Sequence, residues 1–350
     1  MSVKTTFCYS ELVATILDVA KYAGVSASTA KRAIRDPNKL KASTLAKVQS
    51  AIDHLGYEPD QLASALRSGH NNSVGLIIGS LAEAFFAELT REIGALLRAR
   101  GYTLLIADND YSSAQEKQQL QQFHGNRVAG IIMRSGYGAS NLDYMRRLRD
   151  RGVAIVEVDH FYTDSPFSHV MLDNRGAVAQ GLKYLHGLGH RNIAPLGMYH
   201  KELWPDERCA AFPEVMQALG LDFPRAYRII MRPRADEAYQ ATKKLMQLAE
   251  PPTALFAQTG HVAIGAFQAL KDLGLAVPEQ VSLLSFDNYP WTTLVSPSIS
   301  VIAQPVQDMA VAAVESLLSS IDALKAGKTP PVIKQRFVGE LVIRESCQKL

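Results

Sequence analysis

The chain has 350 residues, 47% of them hydrophobic and 20% charged, with a formal net charge of +3. That composition excludes disordered and fibrous classes, and the length suffices for two or three domains with buried cores. No run of about eighteen apolar residues occurs, which argues against a membrane helix, and three widely spaced cysteines, Cys8, Cys209 and Cys347, support neither a zinc site nor a disulfide framework.

The opening MSVKTTFCYSELV lacks the apolar core of a signal peptide, so a cytoplasmic chain is expected. The charge is unevenly spread: Met1 to Asn72 holds nine Lys/Arg against six Asp/Glu, and the remainder holds 28 of each. A small basic module on a neutral body points towards a polyanionic partner.

The first elements lie in ATILDVAKYAGVSASTAKRAI. Thr15 and Asp18 have capping-box spacing, and Val19, Ala20 and Ala23 form a small apolar face. Gly24 ends this helix, and Ser26 can cap a second that carries Thr29, Ala30, Ala33 and Ile34. Asp36-Pro37-Asn38 stops it, and a third amphipathic helix runs from about Ser43 to Leu55, closed by Gly56. From Pro59, DQLASALRSGHNNS reads as a short helix and then a linker.

At Ser73 the pattern changes to apolar strands alternating with amphipathic helices. VGLIIGS, YTLLIAD, VAGIIMR and VAIVEVD are predicted strands, with helices over about 86–100, 114–123 and 141–151 between them. A second series has strands NIAPLGM, YRIIM, ALFAQ and VSLLSFD, with helices over about 176–188, 208–219, 236–248 and 263–273. This alternation predicts an α/β fold: a three-helix head, then two doubly wound halves whose strand ends face a common crevice.

Taken in order, TILDVAKYAGVSASTAKRAI, IDHLGYEPDQLASALRSG, SVGLII, AFFAEL, LGHRNI, ERCAAF, VAIGAFQALKDLGLAVPEQVSLLSFDN and GELVIRES resemble the lactose/galactose-repressor family of bacterial transcription regulators. The resemblance covers about Ala14 to Ser346. It implies a helix-turn-helix DNA-binding domain over 14–58, a hinge helix and linker over 59–72, and a periplasmic-binding-protein-like core over 73–346. Within that core the implied N-subdomain is about 73–171 plus 303–336, and the C-subdomain about 172–300 plus 337–346.

The DNA-contacting set implied by the resemblance is Thr15, Ser26, Ala27, Ser28, Thr29, Lys31, Arg32, Leu66 and Arg67. Ala27, Ser28 and Arg32 match base-reading positions, and a guanidinium can bond guanine bidentately. Leu66 matches a minor-groove wedge and Arg67 a phosphate contact. Lys41 stands where a serine often caps the third helix, which leaves Ser43 as the expected cap.

The effector set implied is Phe85, Phe86, Arg134, Asp159, His160, Trp204, Arg208, Phe256 and Asp287. Arg208 and Asp287 are suited to several hydroxyls at once, and the aromatic rings to stacking on a sugar. Two departures bear on the ligand: Thr259-Gly260 replaces a common Asn-Asp pair, and Arg134 replaces a neutral side chain. Both tilt the site towards an anionic effector such as a sugar acid or sugar phosphate, beside the neutral sugar that stands as the other expectation.

No GxxxxGK[ST] loop occurs, and SGYGAS lacks the further glycine and helix of a dinucleotide site. His186 and His190 are four apart, but the glycines of HGLGHRNI break the helix that a metal pair needs. Neither an enzyme nor a cofactor or metal site is expected. A transport-type sugar-binding protein remains the alternative, opposed by the DNA-reading head. The expected partners are pseudo-palindromic operator DNA, a small sugar-type effector and a second copy of the chain. LVIRESCQKL has no heptad extension, which favours a dimer over a coiled-coil tetramer.

Overall fold

A computed structural model describes residues 14–58, 72–197 and 206–350, and the chain divides into two compact units, 1–71 and 72–350. In the first, Thr15 caps α1 (Ile16–Ala23) through a complete capping box with Asp18, and Gly24 closes it at φ 64°. Ser26 caps α2 (Ala27–Arg35) by accepting the Thr29 N–H. α3 (Ala42–Leu55) has no side-chain cap. Ser43 therefore does not cap it: the Lys41 carbonyl already accepts from the Thr44 and Leu45 amides, so helical bonding starts before Ser43. Val19, Ala20, Ala30, Ala33, Val48 and Ala51 make the core of the head.

The second unit contains two sheets. Its elements are β1 (Ser73–Ile78), α4 (Ala84–Arg98), β2 (Thr103–Asp108), α5 (Ser113–Gly125), β3 (Gly130–Met133), α6 (Leu142–Asp150), β4 (Ala154–Val158) and β5 (Ser168–Leu172). These are followed by α7 (Asn174–Gly187), β6 (Ile193–Leu196), α8 (Glu207–Ala218), α9 (Ala235–Met246), β7 (Ala254–Ala257), α10 (Gly260–Asp272) and β8 (Ser282–Phe286). β9 (Ser300–Ala303), α11 (Val306–Lys325), β10 (Lys334–Phe337) and β11 (Glu340–Val342) complete it.

The first sheet is parallel throughout, in the order β10-β5-β4-β3-β1-β2, and defines lobe one. The second, β11-β9-β8-β7-β6, defines lobe two and is parallel except for β11. The chain passes between lobes after β5, after β9 and after β10. Strands such as β1, β3, β4, β7 and β8 are buried at every position, because helices cover both faces of a doubly wound sheet.

The segment YRIIM is not a strand. Tyr227 ends a 3-10 turn, and Tyr227 and Met231 are buried while Ile230 is 57% exposed. Burial alternates along the segment as in a half-buried strand, but it joins neither sheet, and the Ile229 N–H bonds locally to the Tyr227 carbonyl instead of to a neighbouring strand. No helix among the described residues is long and apolar enough to cross a membrane.

Candidate functional site

The crevice between the lobes is built from the C-terminal ends of parallel strands, where open α/β sheets present ligand-binding loops. Arg134 follows β3, Asp159 and His160 follow β4, Gln258 follows β7 and Asp287 follows β8. Asp159 and Asp287 hold matching places in the two lobes, and both adopt left-handed backbone, at φ 65° and 69°. Aspartate tolerates that conformation better than most side chains.

Arg134 is 2% exposed and contacts Asp159 at 3.3 Å. Its guanidinium sits 4.6 Å from the Tyr111 ring centre and 4.4 Å from that of Tyr137, and it donates to its neighbour's carbonyl, Ser135 O, at 2.7 Å. Burial works against its charge, but the fields of Tyr137 and Asp159 outweigh this and raise its pKa.

In lobe two, Arg208 donates from Nε to Asn174 Oδ1 and from Nη1 to Gln258 O, each at 2.8 Å, and lies 4.1 Å over the Phe286 ring. Burial opposes its charge too, and Asp287, Asp159 and Asp206 more than offset it. Asp287 accepts from Gln304 Nε2 at 2.7 Å and from the Gly260 N–H at 3.0 Å. His160 contacts Ser135 O through Nδ1 at 3.1 Å.

Phe85 and Phe86 line the crevice at the start of α4 but are 4% and 1% exposed, so most of each ring belongs to the core of lobe one. Phe256 does not line it. It is fully buried and stacks on Phe286 at 5.4 Å, because β7 is covered on both faces. Trp204, Leu66 and Arg67 lie outside the described residues.

Sequence reasoning missed Glu83, Tyr111, Tyr137, Asn174, Asp206, Gln258 and Gln304, all of which line the crevice. The available signal was position: Glu83 immediately precedes α4, Gln258 follows β7 and Gln304 follows β9. Burial pushes the Glu83 carboxyl up to about 7, opposed by the hydrogen bond from the Tyr111 hydroxyl.

On the head, Ser28, Lys31 and Arg32 are exposed along α2, while Ala27 is half-buried against the head core and offers little to a base. The hydroxyl of Ser26 contacts those of Ser28 at 2.9 Å and Thr29 at 2.8 Å, so the three form one polar cluster at the start of α2. The Thr15 hydroxyl is engaged by Asp18 Oδ2 at 2.6 Å.

Comparison with known proteins bears on both units. Residues 15–60 match the model for bacterial regulatory proteins of the lacI family, and residues 182–347 match a periplasmic binding protein-like domain. The chain belongs to the lacI family of bacterial regulatory proteins. It is 29% identical to catabolite control protein A of Priestia megaterium, over 87% of this chain and 91% of that protein. With the transcriptional repressor CytR of Escherichia coli K12 it shares 27% identity, over 97% of this chain and 98% of the relative.

Among solved structures, a lac repressor dimer bound to operator and the anti-inducer ONPF aligns at TM-score 0.81 and 22% identity, over 96% of this chain and 99% of that one. A complex of the regulator CelR with cellobiose aligns at TM-score 0.69 and 24% identity, over 95% and 99%. This lacI-family chain is thus a DNA-binding transcriptional regulator.

In this regulator the Thr259-Gly260 departure has a local steric cause. A Cβ on Gly260 would lie 2.5 Å from the Tyr289 ring, so the aromatic occupies space that a longer side chain would need. Thr259 instead caps α10, accepting the Val262 N–H.

Proposed function

We propose that this regulator is a homodimeric repressor of carbohydrate-utilisation genes, acting in the cytoplasm on pseudo-palindromic operator DNA without catalysis. Residues 14–58 read the DNA, 59–72 form the hinge and 73–346 bind the effector and the second copy. Effector binding favours one arrangement of the lobes and lowers operator affinity; by linkage, operator weakens effector binding by the same factor.

The effector is a neutral polyhydroxylated molecule rather than an anion. The carrying observation is charge balance: among the described residues the crevice lining holds four carboxyl groups, Asp159, Asp206, Asp287 and Glu83, the last raised to about 7 by burial, against two guanidinium groups, Arg134 and Arg208. Arg134 is already matched by Asp159 and enclosed by two tyrosines, which favours the neutral of the two effectors that the sequence left open. Carboxyl acceptors and guanidinium donors lining one crevice instead suit hydroxyls that donate and accept.

Thermal-shift titration with neutral sugars, sugar acids and sugar phosphates tests this reading. A neutral sugar at about 100 times its dissociation constant stabilises the fold by about 2.7 kcal/mol. Stabilisation by sugar acids or phosphates alone contradicts it.

A further inference from the structure

Two carboxyl groups are sealed inside lobe one, behind the crevice rather than in it: Glu116 in α5 and Glu157 in β4, each 0% exposed. Burying such a group is costly unless hydrogen bonds replace its water. Glu157 accepts from the Ser135 hydroxyl at 2.6 Å, the Tyr162 N–H at 3.2 Å and the Ser165 hydroxyl. A hydroxyl can reverse and accept instead, so a glutamine whose amide faces Ser165 would serve there.

Glu116 has no such freedom. Its Oε2 accepts the Gly136 N–H, and its Oε1 accepts from Asn141 Nδ2 at 2.7 Å and from the Tyr162 hydroxyl at 2.9 Å. A backbone N–H cannot reverse, and the Asn141 amide is fixed because its Nδ2 also donates to Ser113 O at 2.7 Å. Both oxygens face obligatory donors, and only a carboxylate satisfies the two together. Burial raises its pKa, opposed by these three hydrogen bonds and by the charge of Arg134.

The Gly136 donor belongs to the segment after β3 that carries Arg134 and Tyr137, and this segment lies directly on the start of α5. The Tyr137 N–H donates to Tyr111 O at 2.7 Å, and the Tyr137 carbonyl accepts from the Ser113 N–H at 3.0 Å. At Gly136 the approach is so close that a Cβ would fall 2.6 Å from the backbone of Ser112 and Ser113. Glu116 closes this seam from behind. In front of it, Tyr137 and Tyr111 enclose the Arg134 guanidinium, and Tyr137 packs on Cys209 of α8 and bonds Asp206 in lobe two.

We infer that Glu116, which does not line the crevice, is its positioning residue: by gripping Gly136 it holds Tyr137 across the gap between the lobes and over Cys209. This assignment is independent of what the crevice binds. Its test is alkylation of the full chain by N-ethylmaleimide, with labelling of Cys209 and Cys347 followed separately by mass spectrometry of their peptides. Cys209 is 8% exposed against Tyr137, whereas Cys347 packs elsewhere in lobe two and reports any general loosening of that lobe.

Losing a hydrogen bond to a charged group raises the open population about tenfold, so Glu116→Gln labels Cys209 about tenfold faster with Cys347 unchanged. Gly136→Ala, which lifts the same segment off α5, has the same effect and decides the matter if Glu116→Gln does not fold. Glu157→Gln keeps its hydrogen bonds and leaves Cys209 at the parent rate. In a Tyr137→Ala background Cys209 is already uncovered, and neither Glu116→Gln nor Gly136→Ala accelerates it further; a merely structural role would add its full effect there.

Parent-rate labelling of Cys209 in Gly136→Ala or in folded Glu116→Gln overturns the assignment. So does a rise matched by Cys347, an equal rise in Glu157→Gln, or a full further rise in the Tyr137→Ala background. Each of these results leaves the neutral-polyol reading of the crevice standing.

Discussion

The Tyr137 hydroxyl donates to Asp206 Oδ2 at 3.2 Å, linking the loop after β3 in lobe one to the residue that caps α8 in lobe two. A second bridge runs from Arg336 in β10 to Glu207 at 2.8 and 2.9 Å. A hydrogen bond to a charged acceptor contributes about 1.5–3 kcal/mol when well shielded, and less where water competes. Tyr137→Phe removes the first bridge with little change in shape. We expect the effector to dissociate about fivefold faster from this variant, with a small loss of thermal stability, measured by stopped-flow and melting. An unchanged dissociation rate would show that the bridge does not hold the lobes around the ligand.

Gly260 and Tyr289 compete for one space, with a Cβ at position 260 falling 2.5 and 2.7 Å from ring carbons of the tyrosine. Gly260→Asp should cost about 1–3 kcal/mol, as overpacked cores generally do. The double variant with Tyr289→Ala should lose less than the sum of the two single changes. Denaturant unfolding measures both; additive losses would mean that the two residues are not sterically coupled.

Much of the architecture is legible in the sequence because glycine-bounded apolar strands alternate with amphipathic helices. YRIIM is apolar enough to pass for a strand, yet its burial is set by Tyr227 and Met231 turning inward from an irregular segment. Phe256 was misplaced for a related reason: in the fully buried β7, nothing in the sequence tells the crevice end from the core. Arg208 and Asp287 were legible as charges at element ends. Tyr137 and Asp206 were not, because 69 residues separate them and the packing of the lobes brings them together.

Burial raises the carboxyls of Glu83 and Glu157 from 4.5 to about 7, although hydroxyl hydrogen bonds to each pull the other way. Between those values the folded chain holds protons that the unfolded chain has released. The stability that these two groups contribute is therefore full below pH 4.5 and is lost as pH rises through about 7. Each group contributes on the order of 3 kcal/mol to that fall. Glu157→Gln should flatten the urea midpoint across this range; a slope identical to that of the parent chain would exclude Glu157 as a source.

Arg32 is the exposed side chain on α2 best suited to bidentate base contact, with Ala27 partly taken up by the head core. Arg32→Ala should cost about 1–3 kcal/mol on the preferred operator and relax selectivity at one base pair per half-site. Competition between operator variants measures this. An even loss of affinity across all sequences, with a shallower salt dependence, would assign Arg32 to phosphate instead.

The central claim is that crevice occupancy controls DNA binding. Its most direct test is fluorescence anisotropy of the full chain on a selected operator, with and without the stabilising sugar, for the parent and Arg208→Ala. Arg208 holds Asn174 and Gln258 in the crevice, far in sequence from the head. The account predicts that the sugar weakens operator binding by the parent at least about fivefold, in the usual range of allosteric coupling, while Arg208→Ala binds operator normally and ignores the sugar. An operator response to sugar that is undiminished in Arg208→Ala would contradict it.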